Sequence, residues 1–267
     1  MFFVPFVVNR LGFVVRVLGG EKILQSRRYS VIRVAFCIGG YPPEEFKRRA
    51  DLALSYATAE VQVGIINVEA SPYFYGITPA EIQLVAPAFL DAYRRAEKDG
   101  YDAVVPLGML DLGVDGGRSA VDIPVVGPME ACLHVAALLG DRFGLIIYHK
   151  NLLAFNRAIV RRYGMENRVV DFGVCGFDLP DLAAHHDEVV QNFVNEARRL
   201  IDLGAEVIIP MGISQCPVHI DPKWLQDQLG VPVVEGFGAP IRMAALLASL
   251  GLKQSRVRWP KSGTGEN

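Results

Sequence analysis

The pattern of Asp99–Gly108, DGYDAVVPLG, occurs again at Leu203–Gly212, LGAEVIIPMG. In both stretches a short apolar strand ends in Pro, one further apolar residue and Gly. A second pair of blocks follows in the same order. IPVVGPMEACLHVAALLG at Ile123–Gly140 corresponds to VPVVEGFGAPIRMAALLASLG at Val231–Gly251. Two blocks that recur in one order indicate a duplicated βα unit.

From Val31 onward, short apolar runs alternate with helical segments. This alternation predicts parallel sheets covered by helices on both faces. With the duplication, it predicts an α/β protein of two similar lobes related by a pseudo-twofold axis, with a cleft between them. The predicted strands are 31–38, 61–68, 103–107, 124–127, 143–149, 169–174, 206–210 and 231–234, and the predicted helices are 42–59, 79–98, 129–139, 151–163, 187–203, 222–228 and 240–250.

Four segments of the chain are expected to differ in role. We assign residues 31–125 with 232–252 to lobe 1, residues 126–231 to lobe 2, and residues 253–267 to a polar tail. Residues 1–30 are apolar and basic, and their charges interrupt the apolar runs, so they fall short of the ~20 apolar residues that a membrane helix needs. They also lack the order of a signal peptide. We expect an N-terminal extension outside the fold, with a peripheral membrane helix as the alternative.

The composition is that of a globular protein, with 51% hydrophobic and 21% charged residues and a net charge of -2. No basic stripe is present, which argues against a nucleic-acid partner. The four cysteines are widely spaced and form no CxxC pair, which favours free thiols in a reducing, cytoplasmic setting. The sequence is compatible with a homo-oligomer.

Ligands of open α/β sheets bind at the carboxyl ends of the strands, so the residues there are the candidates for a site. The two halves of the duplication place two such ends opposite each other across the cleft. The strand-end segments begin at Gly39, Glu69, Gly108, Pro128, His149, Gly212 and Glu235.

The stretch GYDAVVPLGMLDLGVDGGRSAVDIPVVGPMEACLHVAALLGDRFGLI and its counterpart GAEVIIPMGISQCPVHI resemble the aspartate/glutamate/hydantoin racemase superfamily. The resemblance covers about Val31 to Leu250. It implies two flavodoxin-like lobes, no organic cofactor, and a small carboxylate or cyclic amide bound between the lobes. Racemases of this superfamily use two facing cysteines as acid and base. The matching positions here are Gly108 and Gly212, and the loss of both thiols argues against two-thiol racemisation.

Three other residues are candidates for the chemistry. His149 ends a strand where related enzymes carry small hydroxyl residues that bind a substrate carboxylate; a structural hydrogen bond is the alternative. Asp111 lies where the family pattern also has an acidic residue, although helix capping explains it equally well. Cys216 follows Gly212 by four residues and would be a nucleophile or base if a helix N-terminus or His219 lowered its pKa, or else a buried loop thiol.

Further residues at the strand ends are candidates for substrate binding. A divalent ion is conceivable because His149, His219, Asp111 and Glu69 are ligand types, but their spacing matches no metal motif, so no metal ligand is predicted. The predicted substrate-binding residues are Gly40, Tyr41, Glu69, Tyr73, Gly108, Gly212, Ser214, Gln215 and His219.

The first functional hypothesis is an enzyme that acts on a small carboxylate or a hydantoin-like cyclic amide by hydrolysis, elimination or decarboxylation. The cleft would stabilise a developing enolate or oxyanion. The second hypothesis is a racemase or isomerase with acid and base groups other than cysteine. The third is a small-ligand-binding protein that lost catalysis together with the thiols.

Overall fold

The computed structural model describes residues 6–8, 14–16, 31–68, 79–176, 182 and 184–262. The chain forms two compact units, Met1–Val31 and Ile32–Asn267. In the first unit, strand β1 (Phe6–Val8) pairs antiparallel with β2 (Val14–Arg16). This hairpin was not predicted, because the apolar residues around it do not alternate with polar ones.

The first sheet of the second unit has three parallel strands in the order β4-β3-β5. From Val34 onward, the central strand is fully buried, which explains why its sequence is apolar without alternation. Its strands are β3 (Ile32–Ile38), β4 (Val61–Asn67) and β5 (Ala103–Pro106), and its connecting helices are α1 (Pro43–Ser55), α2 (Pro79–Lys98) and α3 (Val114–Ala120).

The second sheet repeats this arrangement, with three parallel strands in the order β7-β6-β8. The predicted α/β class with two similar parallel sheets is therefore confirmed. Its strands are β6 (Phe143–Ile147), β7 (Val169–Val174) and β8 (Val207–Pro210), and the helices after α3 are α4 (Pro128–Ala136), α5 (Leu153–Arg162), α6 (His186–Asp202), α7 (Pro222–Leu229) and α8 (Gly238–Ser249).

Three predicted elements differ from the structure. The predicted strands 124–127 and 231–234 are single bridges, Val104 to Val125 and Ile208 to Val233, which extend the two sheets in the same way. The predicted helix 42–59 ends earlier, at Ser55, because Thr58 turns the chain and accepts the Val61 N–H. Helix α3 was missed because two adjacent glycines lower its helix propensity.

The helices α4 and α8 pack against each other, and each also contacts a strand. Helix α8 lies on β3 and β5, although it follows β8 in the chain, while α4 contacts β8. The rings of Phe36 in β3 and Phe237 before α8 stack with centroids 4.9 Å apart. One hydrophobic core therefore includes residues of both sheets and joins the two halves of the fold.

The polar segment after α8 packs against α3. Arg256 donates to the carbonyl oxygens of Arg118 and Val121 and forms an ion pair with Asp122. The Arg118 guanidinium lies over the Trp259 ring at 4.9 Å. The chain end up to Ser262 thus supports the helix that follows β5. Within the described part of the chain, no helix is long and apolar enough to cross a membrane.

Candidate active site

A cavity of about 130 Å³ lies where the carboxyl ends of β5 and β8 meet. Most of its lining is apolar, and the polar side chains among the described lining residues are two tyrosines and one asparagine. Both sheets contribute to it, so the cavity occupies the predicted cleft. It is lined by Tyr41, Ile82, Val85, Leu107, Gly108, Met109, Leu110, Leu112, Ile147, Tyr148, Leu152, Asn156, Met211 and Ile213.

Gly108 follows β5 and forms part of the cavity wall. Its φ of 110° lies in the region that favours glycine, because an L side chain there is strained. A Cβ atom built at this position would meet no atom within 4 Å. The space that a side chain would occupy is therefore open to the cavity.

Gly212 follows β8 and is enclosed. A Cβ atom here would lie 2.8 Å from Gln215 Oε1 and 2.9 Å from Tyr148 Cε1. Real Cβ atoms do not approach neighbours so closely. The aromatic ring of Tyr148 thus fills the place where a side chain at this strand end would begin.

Tyr148 directly follows β6 and is partly buried. Its hydroxyl oxygen accepts the Ser214 N–H at 2.9 Å. Burial raises the pKa of this phenol, and the contact with Ser214 only partly opposes the effect. At neutral pH, Tyr148 is consequently a protonated phenol on the cavity wall: it can donate a proton, but it is no base.

A buried ion pair supports the loop after β8 from the side of α1. Arg49 is fully buried, its Nη2 donates to Ser214 Oγ at 2.6 Å, and its guanidinium pairs with Glu45. The same guanidinium lies over the ring of Tyr41 at 4.0 Å. Burial alone would raise the pKa of Glu45, but the hydrogen bond and charge of Arg49 hold it below its ordinary value.

His219 completes this cluster. Its Nε2 lies 3.6 Å from Glu45 Oε1, and burial lowers its pKa despite the neighbouring carboxylate. The imidazole is therefore neutral at pH 7. Ser214, His219 and Tyr41, which were predicted to bind substrate, lie in one network, but among these three only Tyr41 lines the cavity.

Comparison with known proteins agrees with this geometry. The sequence profile of the Asp/Glu/hydantoin racemase family matches residues 53–244. The chain belongs to this family. It is 30% identical over 195 residues to a hydantoin racemase of Rhizobium meliloti, covering 67% of this chain and 76% of the relative.

Solved structures of other proteins share the fold. The allantoin racemase of Pseudomonas fluorescens superposes with a TM-score of 0.76 at 22% identity, covering 88% of this chain and 99% of the other. Unliganded arylmalonate decarboxylase superposes with a TM-score of 0.57 at 16% identity, covering 81% and 92%. This member of the racemase family is thus an enzyme of the superfamily with the two-lobed fold, and the fold hosts more than one reaction class.

Asp111, which was predicted either to be catalytic or to cap a helix, caps a helix in this family member. Its carboxylate accepts the N–H groups of Met129 and Glu130 at the start of α4 and the Tyr163 hydroxyl. Burial raises the pKa of Asp111 to about 6, against the opposing effect of these hydrogen bonds. It is 4% exposed and does not line the cavity. The geometry supports the capping interpretation, because all these donors come from the protein itself.

Cys216 does not meet the condition set for a nucleophile. It is fully buried in a hydrophobic cluster with Ile146 and Leu225, and burial raises its pKa well above the ordinary value. Gln215 is buried beside it, donating to the Gly176 carbonyl and accepting from the Cys175 thiol. Both residues stabilise the loop after β8 rather than face the cavity.

The other predicted residues lie at or beyond the edge of the described site. His149 precedes a short 3-10 turn and is partly buried, and neither it nor Gly40 is part of the cavity lining. Glu69 and Tyr73 lie outside the described residues. Across the ranges 31–68, 79–176 and 184–262, no three His, Cys, Asp or Glu side chains lie close enough to hold a metal ion.

Sequence reasoning missed Tyr148, Asn156 and Arg49. Its position at the end of an apolar strand, beside His149, is the signal that identifies Tyr148 as a candidate. Asn156 lies in α5, 2% exposed, with its amide donating to the Leu152 carbonyl. Arg49 lies among charged residues in the sequence of an amphipathic helix, so its local sequence predicts an exposed side chain.

Proposed function

We propose that this enzyme is a lyase that decarboxylates a small carboxylate with an apolar substituent, through an enolate held in the cavity. The observation that carries the proposal is the composition of the cavity wall. Among the described lining residues there is no carboxylate, imidazole or thiol. Hydrolysis requires a group that activates water, and racemisation requires a base that removes an α-proton. Decarboxylation requires neither.

The apolar wall favours this reaction over the alternatives. Loss of CO₂ converts a localised carboxylate charge into a charge spread over an enolate, and a site that excludes water penalises the localised charge more. Leu107, Leu110 and Ile213 provide such a surface for an aryl or alkyl substituent. The family's thiols are unnecessary for the step, so the glycines at both strand ends are compatible with it.

A racemase or isomerase of hydantoins remains the second candidate, since the Rhizobium meliloti relative carries that name. It requires proton-transferring groups on both faces of the substrate carbon. The open face beside Gly108 offers none among the described residues, so a base would have to come from a residue such as Glu69. Four unpaired, buried cysteines support the cytoplasm as the compartment for either activity.

The test is a substrate screen that separates the reactions by their products. Purified protein is incubated with arylmalonates, 5-substituted hydantoins and short dicarboxylates, with and without added divalent metal. We expect CO₂ release from an arylmalonate. Deuterium exchange at the α-carbon without CO₂ release would instead establish the isomerase, and ligand-dependent stabilisation without turnover would establish a binding protein.

Two variants make the screen specific to the cavity. Leu110→Trp fills the space beside Gly108 and should abolish turnover while the melting temperature is kept. Leu138→Trp makes the same change at a position 85% exposed and should leave turnover unaltered. If Glu69→Gln abolished activity while Leu110→Trp did not, the cavity at the ends of β5 and β8 would not be the active site.

A further inference from the structure

Of the two duplicated strand ends, the one at Gly108 is open and the one at Gly212 is filled by another residue. At Gly212 the space for a side chain is taken by the ring of Tyr148, which comes from the end of the neighbouring strand β6. The ring contributes to the cavity wall, whereas Gly212 itself does not. The second half of the protein therefore presents a phenol to the cavity at the strand end where the family resemblance implies a thiol.

The Tyr148 hydroxyl is held by the loop after β8. Its oxygen accepts the backbone N–H of Ser214, a contact that fixes the ring without using the phenol hydrogen. Ser214 is itself held by Arg49 through its hydroxyl. The buried guanidinium thus lies one residue behind the phenol, where its positive charge favours the phenolate that forms when the proton leaves.

We propose that Tyr148 is the catalytic proton donor of this enzyme and stands in for the thiol missing at Gly212. The inference rests on the proposed decarboxylation. As the bond between the α-carbon and the carboxyl carbon breaks, CO₂ departs and the electron pair stays on the substrate as an enolate. The α-carbon then forms a bond to the phenol hydrogen, and the O–H electron pair remains on Tyr148 as phenolate. Water returns a proton to the phenolate and completes the cycle.

A donor on one wall has a stereochemical consequence. Gly108 provides no side chain on its part of the wall, so we expect protonation from the Tyr148 side. A prochiral disubstituted malonate should therefore give a single enantiomer of the monoacid. Burial raises the pKa of this phenol and so keeps it protonated at neutral pH, which is the state that a proton donor requires.

The first experiment compares Tyr148→Phe with the unaltered enzyme on the arylmalonate found in the screen. Loss of a general acid should lower kcat about 100-fold or more, with KM changed less than about threefold. Tyr163→Phe removes a phenol of similar burial that serves Asp111 and does not line the cavity; its kcat should stay within about threefold of the unaltered enzyme, as expected of a group outside the reaction. Equal kcat and equal enantiomeric excess for Tyr148→Phe and unaltered enzyme would overturn the inference.

The second experiment requires no substrate, so it decides the inference even if no decarboxylation is found. A thiol introduced by Gly108→Cys, or by Leu110→Cys if the strained position prevents folding, is alkylated with iodoacetamide across pH. A phenol that donates into the cavity stabilises the thiolate, so adding Tyr148→Phe should raise the apparent thiol pKa by about 0.5 or more. An unchanged pH profile would show that Tyr148 offers no proton there and refute its role.

Discussion

The two equivalent strand ends of the repeat, at Gly108 and Gly212, differ in backbone conformation and in the space around them. Gly108 has a φ of 110° and open space where a side chain would point, while Gly212 is packed under Tyr148 and Gln215. The loop after Gly212 is held by the buried guanidinium of Arg49, which pairs with Glu45, whereas the helix that follows Gly108, α3, is held by the polar chain end. The two halves thus share their strand ends but differ at the site. The half with Gly108 leaves open space in the cavity, and the half with Gly212 places the Tyr148 phenol there.

The largest expected effect concerns the ion pair behind Gly212. Glu45→Gln leaves the guanidinium of Arg49 buried without its carboxylate, and an uncompensated buried charge costs about 3 kcal/mol or more in the free energy of unfolding. Chemical denaturation of the variant measures the loss. Asp51→Asn is the matched control, since it breaks an exposed pair with Lys47 on the same helix and should cost less than about 1 kcal/mol. Equal losses would mean that Arg49 does not support this strand end.

The next effect tests the packing difference between the two glycines directly. Gly212→Ala forces a methyl group against Tyr148 and should cost about 2 kcal/mol through overpacking. Gly108→Ala should cost about 1 kcal/mol or more through backbone strain alone, since its Cβ meets open space.

A double-mutant cycle separates these two causes. Combining Tyr148→Ala with Gly212→Ala should recover about 1 kcal/mol relative to the sum of the single changes, because one of the two groups that crowd the methyl group is gone and only Gln215 remains. The same cycle with Gly108→Ala should be additive within about 0.5 kcal/mol. Coupling at Gly108 of the same size would contradict the distinction between an open and a filled strand end.

The repeat in the sequence predicted where the two equivalent strand ends lie, but not which side chains surround them. A duplicated run such as AVVPLG and VIIPMG locates equivalent strand ends, because strand, proline and glycine patterns are local. The environment of each end is not local: the ring over Gly212 belongs to Tyr148, which follows β6, and the Ser214 side chain is held by Arg49 from α1. The chemical types of Asp111 and Cys216 can be read from the sequence, but their burial outside the cavity lining depends on the whole fold.

The two halves also cap their central helices by different routes. Asp111 reaches α4 from the loop after β5, and its carboxyl lies where a side chain of Gly127 would be, with Cγ 2.5 Å from that Cβ position. Glu235, which corresponds to Gly127 in the repeat, caps α8 with its own carboxylate, accepting the N–H groups of Phe237 and Gly238. Tyr163 and Tyr56 donate to the two carboxylates in turn. A buried carboxylate at each helix start is thus conserved between the halves although its source is not.

The smallest expected effect follows from the burial of the first of these caps. Burial raises the pKa of Asp111 to about 6, above the value of about 3.9 in an unfolded chain. The folded protein therefore binds this proton more tightly, so its contribution to stability is complete below about pH 4 and is lost as the pH rises through about 6. Asp111→Asn cannot ionise and should lose about 1 kcal/mol less between about pH 5.2 and pH 7 than the unaltered protein does.

Denaturant unfolding at several pH values measures this difference, and Glu235 provides the comparison between the halves. Burial also raises the pKa of Glu235, so Glu235→Gln should flatten the same pH profile, and the double variant should flatten it further. The amide variants retain an oxygen that accepts one helix N–H, so both should remain folded. The free energy of unfolding of Asp111→Asn could instead show the same pH dependence as that of the unaltered protein. The Asp111 carboxylate would then titrate normally and would be more hydrated than its position at the start of α4 implies.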